Sequence, residues 1–382
     1  MSIRRRATLA FAPCLLCAVL TATARADDPP PEADVGGGTK TDASDAAPKT
    51  RPSAIGIAAA IVPGILVHGA GHFAAGDPQT ASRLLILEGI GVGTLAVGFI
   101  PIVLTGASRR LVGPAAALSV AGVGLFAISM LSDLYGVATP EGGVGAPPST
   151  VAIVQIAAGY RYVFDPVFAY RNFLATEIDY RVAHWRVDPS AWLAVDSKNS
   201  RLRALGSYRF IGPLPEGEPR SRGGSFLDLE AAVTRHAYGS EHFATTTFEL
   251  SVAGRLDLDH LAPSLAGSFA EMSFGGAMAS YQYDVPGAAS DLGGLLLARF
   301  AYGVYFGWPG KLRGEAMAYY DHRHDGFAAG LKMPGLGSGV AGHFGLDARM
   351  YLTDRWGLAA EAAVGSAYVA GLSVLFRHGD PL

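Results

Sequence analysis

Residues 151–377 of this chain predict a mainly β protein, an antiparallel up-and-down membrane β-barrel of ten to twelve strands. An apolar α-helical hairpin precedes it. Three observations carry this. The first is period-two alternation: Thr245, Thr247, Glu249, Ser251, Arg255 and Asp257 interleave with Thr246, Phe248, Leu250, Val252, Leu256 and Leu258. Such runs outlast an ordinary globular strand and suit a tilted strand with lipid on one side and a polar interior on the other. The second is composition: half the residues are hydrophobic and only 16% are charged, unusually apolar for a soluble protein. The third is the spacing of turn residues between the alternating runs.

Residues 1–26 read as a secretory signal peptide. Arg4, Arg5 and Arg6 precede an apolar run from Ala7 to Leu20, and Ala24-Arg25-Ala26 supplies the small-x-small cleavage pattern. An uncleaved signal anchor is the alternative. The two cysteines, Cys14 and Cys17, lie within this segment, and the bulky Leu16 before Cys17 argues against a lipoprotein signal. Without the segment's four arginines the remaining 26 basic residues face 33 acidic ones. With no basic run either, nucleic acid is not an expected partner.

Residues 27–52, rich in Asp, Pro, Gly and Thr without apolar periodicity, are expected to form a disordered linker. Residues 53–136 are an apolar helical region, with spanning-length helices over about 84–104 and 111–131. Ala54–Phe73 is a weaker apolar stretch, re-entrant or interfacial. Abundant Gly and Ala in all three segments would let helices approach closely.

The β region then alternates throughout. Glu177, Asp179 and Arg181 oppose Ile178, Tyr180 and Val182, and Arg201, Arg203 and Arg209 oppose Leu202, Tyr208 and Phe210. Asp228 and Glu230 oppose Leu227 and Leu229. Arg313 and Glu315 oppose Leu312 and Ala316, while Asp347 and Arg349 oppose Leu346 and Ala348. Runs near 268–284, 293–307 and 356–377 are less regular. Asp188-Pro189, Lys198-Asn199-Ser200, Pro309-Gly310 and Thr353-Asp354 read as short turns, with longer loops near 213–224, 285–292 and 324–340. Twelve is the favoured strand number, since an even count returns both ends to one side. Tyr160, Tyr162, Trp185, Tyr281, Tyr283, Phe306, Trp308, Tyr319, Tyr320, Tyr351 and Trp356 stand near strand ends, as interfacial girdles do.

With its signal peptide, alternation and aromatic strand ends, the region from Val151 onward resembles bacterial outer-membrane β-barrel proteins. The resemblance implies an envelope protein in contact with membrane lipid, structural or passing narrow solutes, and non-enzymatic. It departs from them at its end, where Arg377-His378-Gly379-Asp380-Pro381-Leu382 follows Phe376.

A lumen charge ladder of Glu177, Asp179, Arg181, Arg203, Asp228, Glu230, Glu249, Arg255, Arg313, Glu315, Asp347 and Arg349 carries both signs, so partners abound and the interior should be plugged or narrow. Chemistry has weaker candidates. His68 and His72 are spaced as metal ligands on a helix, with Glu88, Asp77 or Asp133 to complete a site, yet Gly69 stands where a zinc protease has its glutamate. Asp321 with His324, and His236 with Ser240, are candidate catalytic pairs of a barrel hydrolase, a third reading. No cofactor is implied. An inner-membrane protein with a two-helix anchor and a periplasmic β domain that binds a partner or ligand is the alternative. Arg109-Arg110 would then lie in the cytoplasm. An envelope protein docking on the helical region is a further expected partner.

Overall fold

A computed structural model describes residues 52–378, apart from 107, 109–110, 144, 146–150, 166–170, 216–222, 240–241, 285–290, 309–311, 323–341 and 366. The signal peptide, most of the linker, Arg109, Arg110, Ser240 and His324 lie outside the described residues.

Twelve strands follow one another around a closed antiparallel barrel: β1 (Val154–Phe164), β2 (Asn172–Val182), β3 (Trp185–Ala194), β4 (Ser200–Ile211), β5 (Phe226–Tyr238) and β6 (Phe243–Asp257), then β7 (Ser268–Tyr283), β8 (Asp291–Trp308), β9 (Leu312–His322), β10 (His343–Tyr351), β11 (Trp356–Val364) and β12 (Tyr368–His378). β1 closes on β12 with Val154 opposite His378 and Phe164 opposite Tyr368. Closure leaves no unpaired edge, a requirement in hydrocarbon where no water can satisfy a backbone N–H.

The faces sort as alternation requires. Leu174, Leu202, Phe248, Leu250, Phe344, Leu346 and Leu372 are all at least half exposed on the outside. A continuous apolar exterior of this extent belongs to a membrane-spanning barrel. It overturns the soluble periplasmic β domain of the inner-membrane alternative, whose apolar faces would have to be buried in its core. Tyr160, Trp185, Trp356 and Tyr368 stand exposed, the tilted ring of Trp356 packing on Phe376 with centroids 5.0 Å apart. Tyr319 is instead buried on the inward face, and Tyr351 reaches Gln155 from β10 to β1 across the interior.

Asp188-Pro189 is not a turn. Both residues lie inside β3, and the chain reverses at Ala183-His184, where Ala183 adopts φ 48°. Proline cannot donate to a ladder. The β2–β3 register accordingly runs from Glu177–Ser190 to Tyr180–Val187 with no pairs between.

Ahead of the barrel stand α1 (Ala54–Ile61), α2 (Ala70–Ala75), α3 (Pro78–Thr105) and α4 (Val112–Ala138). The hairpin helices run beyond the expected 84–104 and 111–131. Asp77 caps α3 by accepting the Thr80 N–H at 3.0 Å, with Pro78 in the first turn, where its missing N–H costs nothing. The two long helices meet along small residues: a Cβ at Gly122 would lie 2.3 Å from the Leu95 nitrogen, and one at Gly98 2.5 Å from the Ala115 oxygen.

The hairpin lies outside the barrel. Ala121, Leu125 and Ile128 of α4 share a buried cluster with Ala270, Met272 and Tyr302, outward residues of β7 and β8. A Cβ on Gly124 would sit 2.9 Å from the Phe300 ring. Leu258 and Leu265, in two short 3₁₀ turns of the β6–β7 connection, complete the cluster.

Candidate functional site

The lumen is built by side chains from alternate positions, and three contacts prove its interior position by bridging non-adjacent strands. Arg255 on β6 reaches Glu315 on β9 at 2.7 Å, Arg203 on β4 reaches Glu249 on β6 at 2.9 Å, and Tyr305 on β8 donates to Asp257 at 2.9 Å. Neighbours fill in around them. Asp179 takes both Arg181 and Arg186, Arg186 extends to Asp188 at 2.6 Å, and Arg209 forks onto Asp228 with two bonds of 2.9 Å. Two-pronged arginine–carboxylate pairs are the geometrically rigid kind. Glu177, Glu230, Arg313, Asp347 and Arg349 stand an even number of positions along their strands from Asp179, Asp228 or Glu315, or directly opposite such a residue, and so share their face.

Sequence reading passed over several lumen residues. Arg186 and Asp188 were hidden by the apparent turn at Asp188-Pro189. Tyr305 and Trp192 carry no charge, so alternation of charges could not single them out. Yet Trp192 lies between the guanidinium groups of Arg161 and Arg201, at 4.4 and 4.6 Å from its ring centre. With Val163, Phe173, Tyr238 and Val369 it forms a buried apolar cluster at the end of the lumen away from the termini. Arg255 similarly lies 3.9 Å from the Phe269 ring centre. Ion pairs and aromatic side chains thus occur together at both ends of the interior, Arg161 pairing with Glu361 at 2.6 Å beside Trp192 and Arg255 lying against Phe269.

The second candidate region is the helical junction. His68 precedes α2 and His72 lies within it, so the two do not share a helical face. Both are buried, at 1% and 2% exposure. Their carboxylate neighbours are spoken for. Glu88 accepts the His68 N–H at 2.8 Å, Asp77 caps α3, and Asp133 accepts the backbone N–H groups of Gly69, Gly71 and His72 at 3.0, 3.0 and 3.1 Å. Asp133 also takes His72 Nδ1 at 2.6 Å. Among the described residues no three His, Cys, Asp or Glu side chains converge as metal ligands. Around His68, burial pushes the imidazole below its ordinary range, against the opposing pull of Glu88 and Asp133. Its ring leans on Phe126, with centroids 4.3 Å apart.

In the hydrolase pairs, Asp321 is buried and sits opposite His343 in the β9–β10 register. His236 is buried in the lumen, stacked 4.0 Å from Tyr238. Their expected partners His324 and Ser240 are outside the described residues.

No family model and no curated protein matches the sequence. Solved structures similar to this chain include a KdgM porin, at 7% identity and a TM-score of 0.34 over 58% of this chain and 98% of the porin. The outer membrane protein Omp33 of Acinetobacter baumannii matches at 12% identity and a TM-score of 0.30, over 60% of this chain and all of its own. The translocator domain of the autotransporter NalP from Neisseria meningitidis matches at 12% and 0.33, over 64% and 92%. At such identities these likenesses concern shape alone. By its own register and its apolar exterior, the chain is a closed twelve-stranded β-barrel of the outer-membrane type, with a helical hairpin against its wall.

Proposed function

We propose that this is a β-barrel protein of the bacterial outer membrane with a structural or narrow-solute role, its lumen passing small solutes slowly or not at all. The observation that carries the reading is the Arg255–Glu315 pair, which joins β6 to β9 straight through the interior. Partly buried pairs of this kind are costly to break singly, because the orphaned charge stays in place. Membrane lipid is the partner of the exterior, and the helical region is where a further envelope protein would dock. Planar-bilayer recording tests the lumen: the protein is expected to give no steps of about a nanosiemens, the scale of an open aqueous channel. Steady nanosiemens steps from the unmodified protein would contradict the reading.

A further inference from the structure

Asp133, His72 and Ser264 come from α4, α2 and the β6–β7 connection, and they stand in a row where the helices meet the barrel. His72 Nδ1 lies 2.6 Å from Asp133 Oδ1, a contact that puts the imidazole proton on Nδ1. Nε2 is then left as a lone pair, and it faces Ser264 Oγ at 3.5 Å. Three backbone N–H groups hold the carboxylate in place, so the ring's orientation is fixed from behind.

We propose that Ser264, His72 and Asp133 act as nucleophile, base and orienting group in the hydrolysis of acyl esters presented at the membrane surface. Recognition of such a relay rests on geometry and roles rather than on sequence order. The geometry has three supports besides the row itself. Glycines make room for the row: a Cβ on Gly136 would lie 2.4 Å from His72 Nε2, and one on Gly71 3.0 Å from Asp133 Oδ1. Ser264 is only half-buried and follows the exposed Pro263, so the nucleophile's end of the row is the one nearest the surface. The segment that brings His72 exposes Leu66, Val67 and Phe73, apolar surface suited to an acyl chain. The Ser264–His72 contact is longer than a working hydrogen bond, as such contacts commonly are before substrate binds.

In the reaction Ser264 Oγ attacks the ester carbonyl carbon and its proton passes to His72 Nε2. The carbon–oxygen bond to the alcohol breaks, and the alcohol leaves with that proton. Water, deprotonated by the same nitrogen, then releases the acid and restores the serine. No oxidant or metal is required for the balance.

The proposal is independent of the lumen's role. Its test is labelling of the full-length barrel in detergent with a fluorophosphonate probe, alongside p-nitrophenyl butyrate hydrolysis. Labelling of the wild type, abolished in Ser264→Ala and reduced at least ~100-fold in His72→Gln, is the expected result. The Ser264→Ala variant removes one oxygen and is expected to keep the heat-dependent gel mobility of the folded barrel. It therefore decides the matter alone if His72→Gln does not assemble. A folded wild type that takes no label, or labelling that persists in Ser264→Ala, overturns the proposal.

Discussion

Asp133 accepts three backbone N–H groups and one imidazole N–H while almost wholly buried, so each side of its carboxylate is committed. Removing it strands those donors in an apolar setting, at about 1–3 kcal/mol for each group left unsatisfied. Asp133→Ala is therefore expected to make the helical region sensitive to protease while the barrel keeps its heat-dependent mobility; a protease-resistant Asp133→Ala protein would contradict this. His68 titrates in a predictable direction. Burial lowers its pKa in the folded state, so below the ordinary imidazole value of 6.5 the unfolded chain binds the proton first. Stability of the helical region should then be full above that pH and fall as the pH drops below it. His68→Phe, stacking on Phe126 without a titrating group, should lose part of that dependence in thermal melts at pH 7.5 and pH 5. An unchanged dependence would rule His68 out as its source. Little of this was legible in the sequence. The histidine spacing suggested ligands on one helical face, but Gly69, at φ 91°, lets the chain turn between them, and a residue 61 positions away decides where His72 points.

Between elements, the hairpin and its dock on β7–β8 depend on the absence of side chains. In hydrocarbon there is no hydrophobic drive between helix and barrel, so close packing and a few hydrogen bonds must suffice. Tyr135 donates to the Ala266 oxygen at 2.9 Å, and Ser129 to the Leu84 oxygen at 2.8 Å. Gly122→Leu should force α3 and α4 apart, since even a Cβ there meets the Leu95 backbone at 2.3 Å. Crosslinking between cysteines introduced on α3 and α4 is expected to fall at least ~10-fold, in line with the several kcal/mol that backbone overlap costs. Undiminished crosslinking would mean that the helices meet elsewhere. The strands that read most clearly, such as β2 and β6, have charge on one face and lipid-facing apolar residues on the other. β7 and β8 read less clearly for a physical reason. Their outward Ala270, Met272 and Tyr302 meet a helix, and their inward positions include Phe269, Gly275 and Gly303, so the polar contrast fades. Asp188-Pro189 misled because turn chemistry can also occur at a ladder interruption within a strand.

For the molecule as a whole, alternation was enough to expect a closed barrel of ten to twelve strands, because only closure satisfies every strand edge in lipid; the structure has twelve. Which side of the wall the helices take was not legible, since their apolar residues would suit either; Phe300 against Gly124 places them outside. The proposed narrowness of the lumen rests on cross-lumen pairing, which can be altered. Arg255→Ala combined with Glu315→Ala removes both partners of the pair joining β6 to β9. Small-ion conductance should rise severalfold in that double variant, and a conductance equal to wild type would place the constriction at the Trp192 cluster instead. The most direct check of the central claim is separation of inner and outer membranes on a density gradient, with unboiled and boiled samples run side by side. The account predicts that the protein is found with the outer membrane and migrates faster unboiled than boiled. Recovery with the inner membrane, at one mobility regardless of heating, would contradict it.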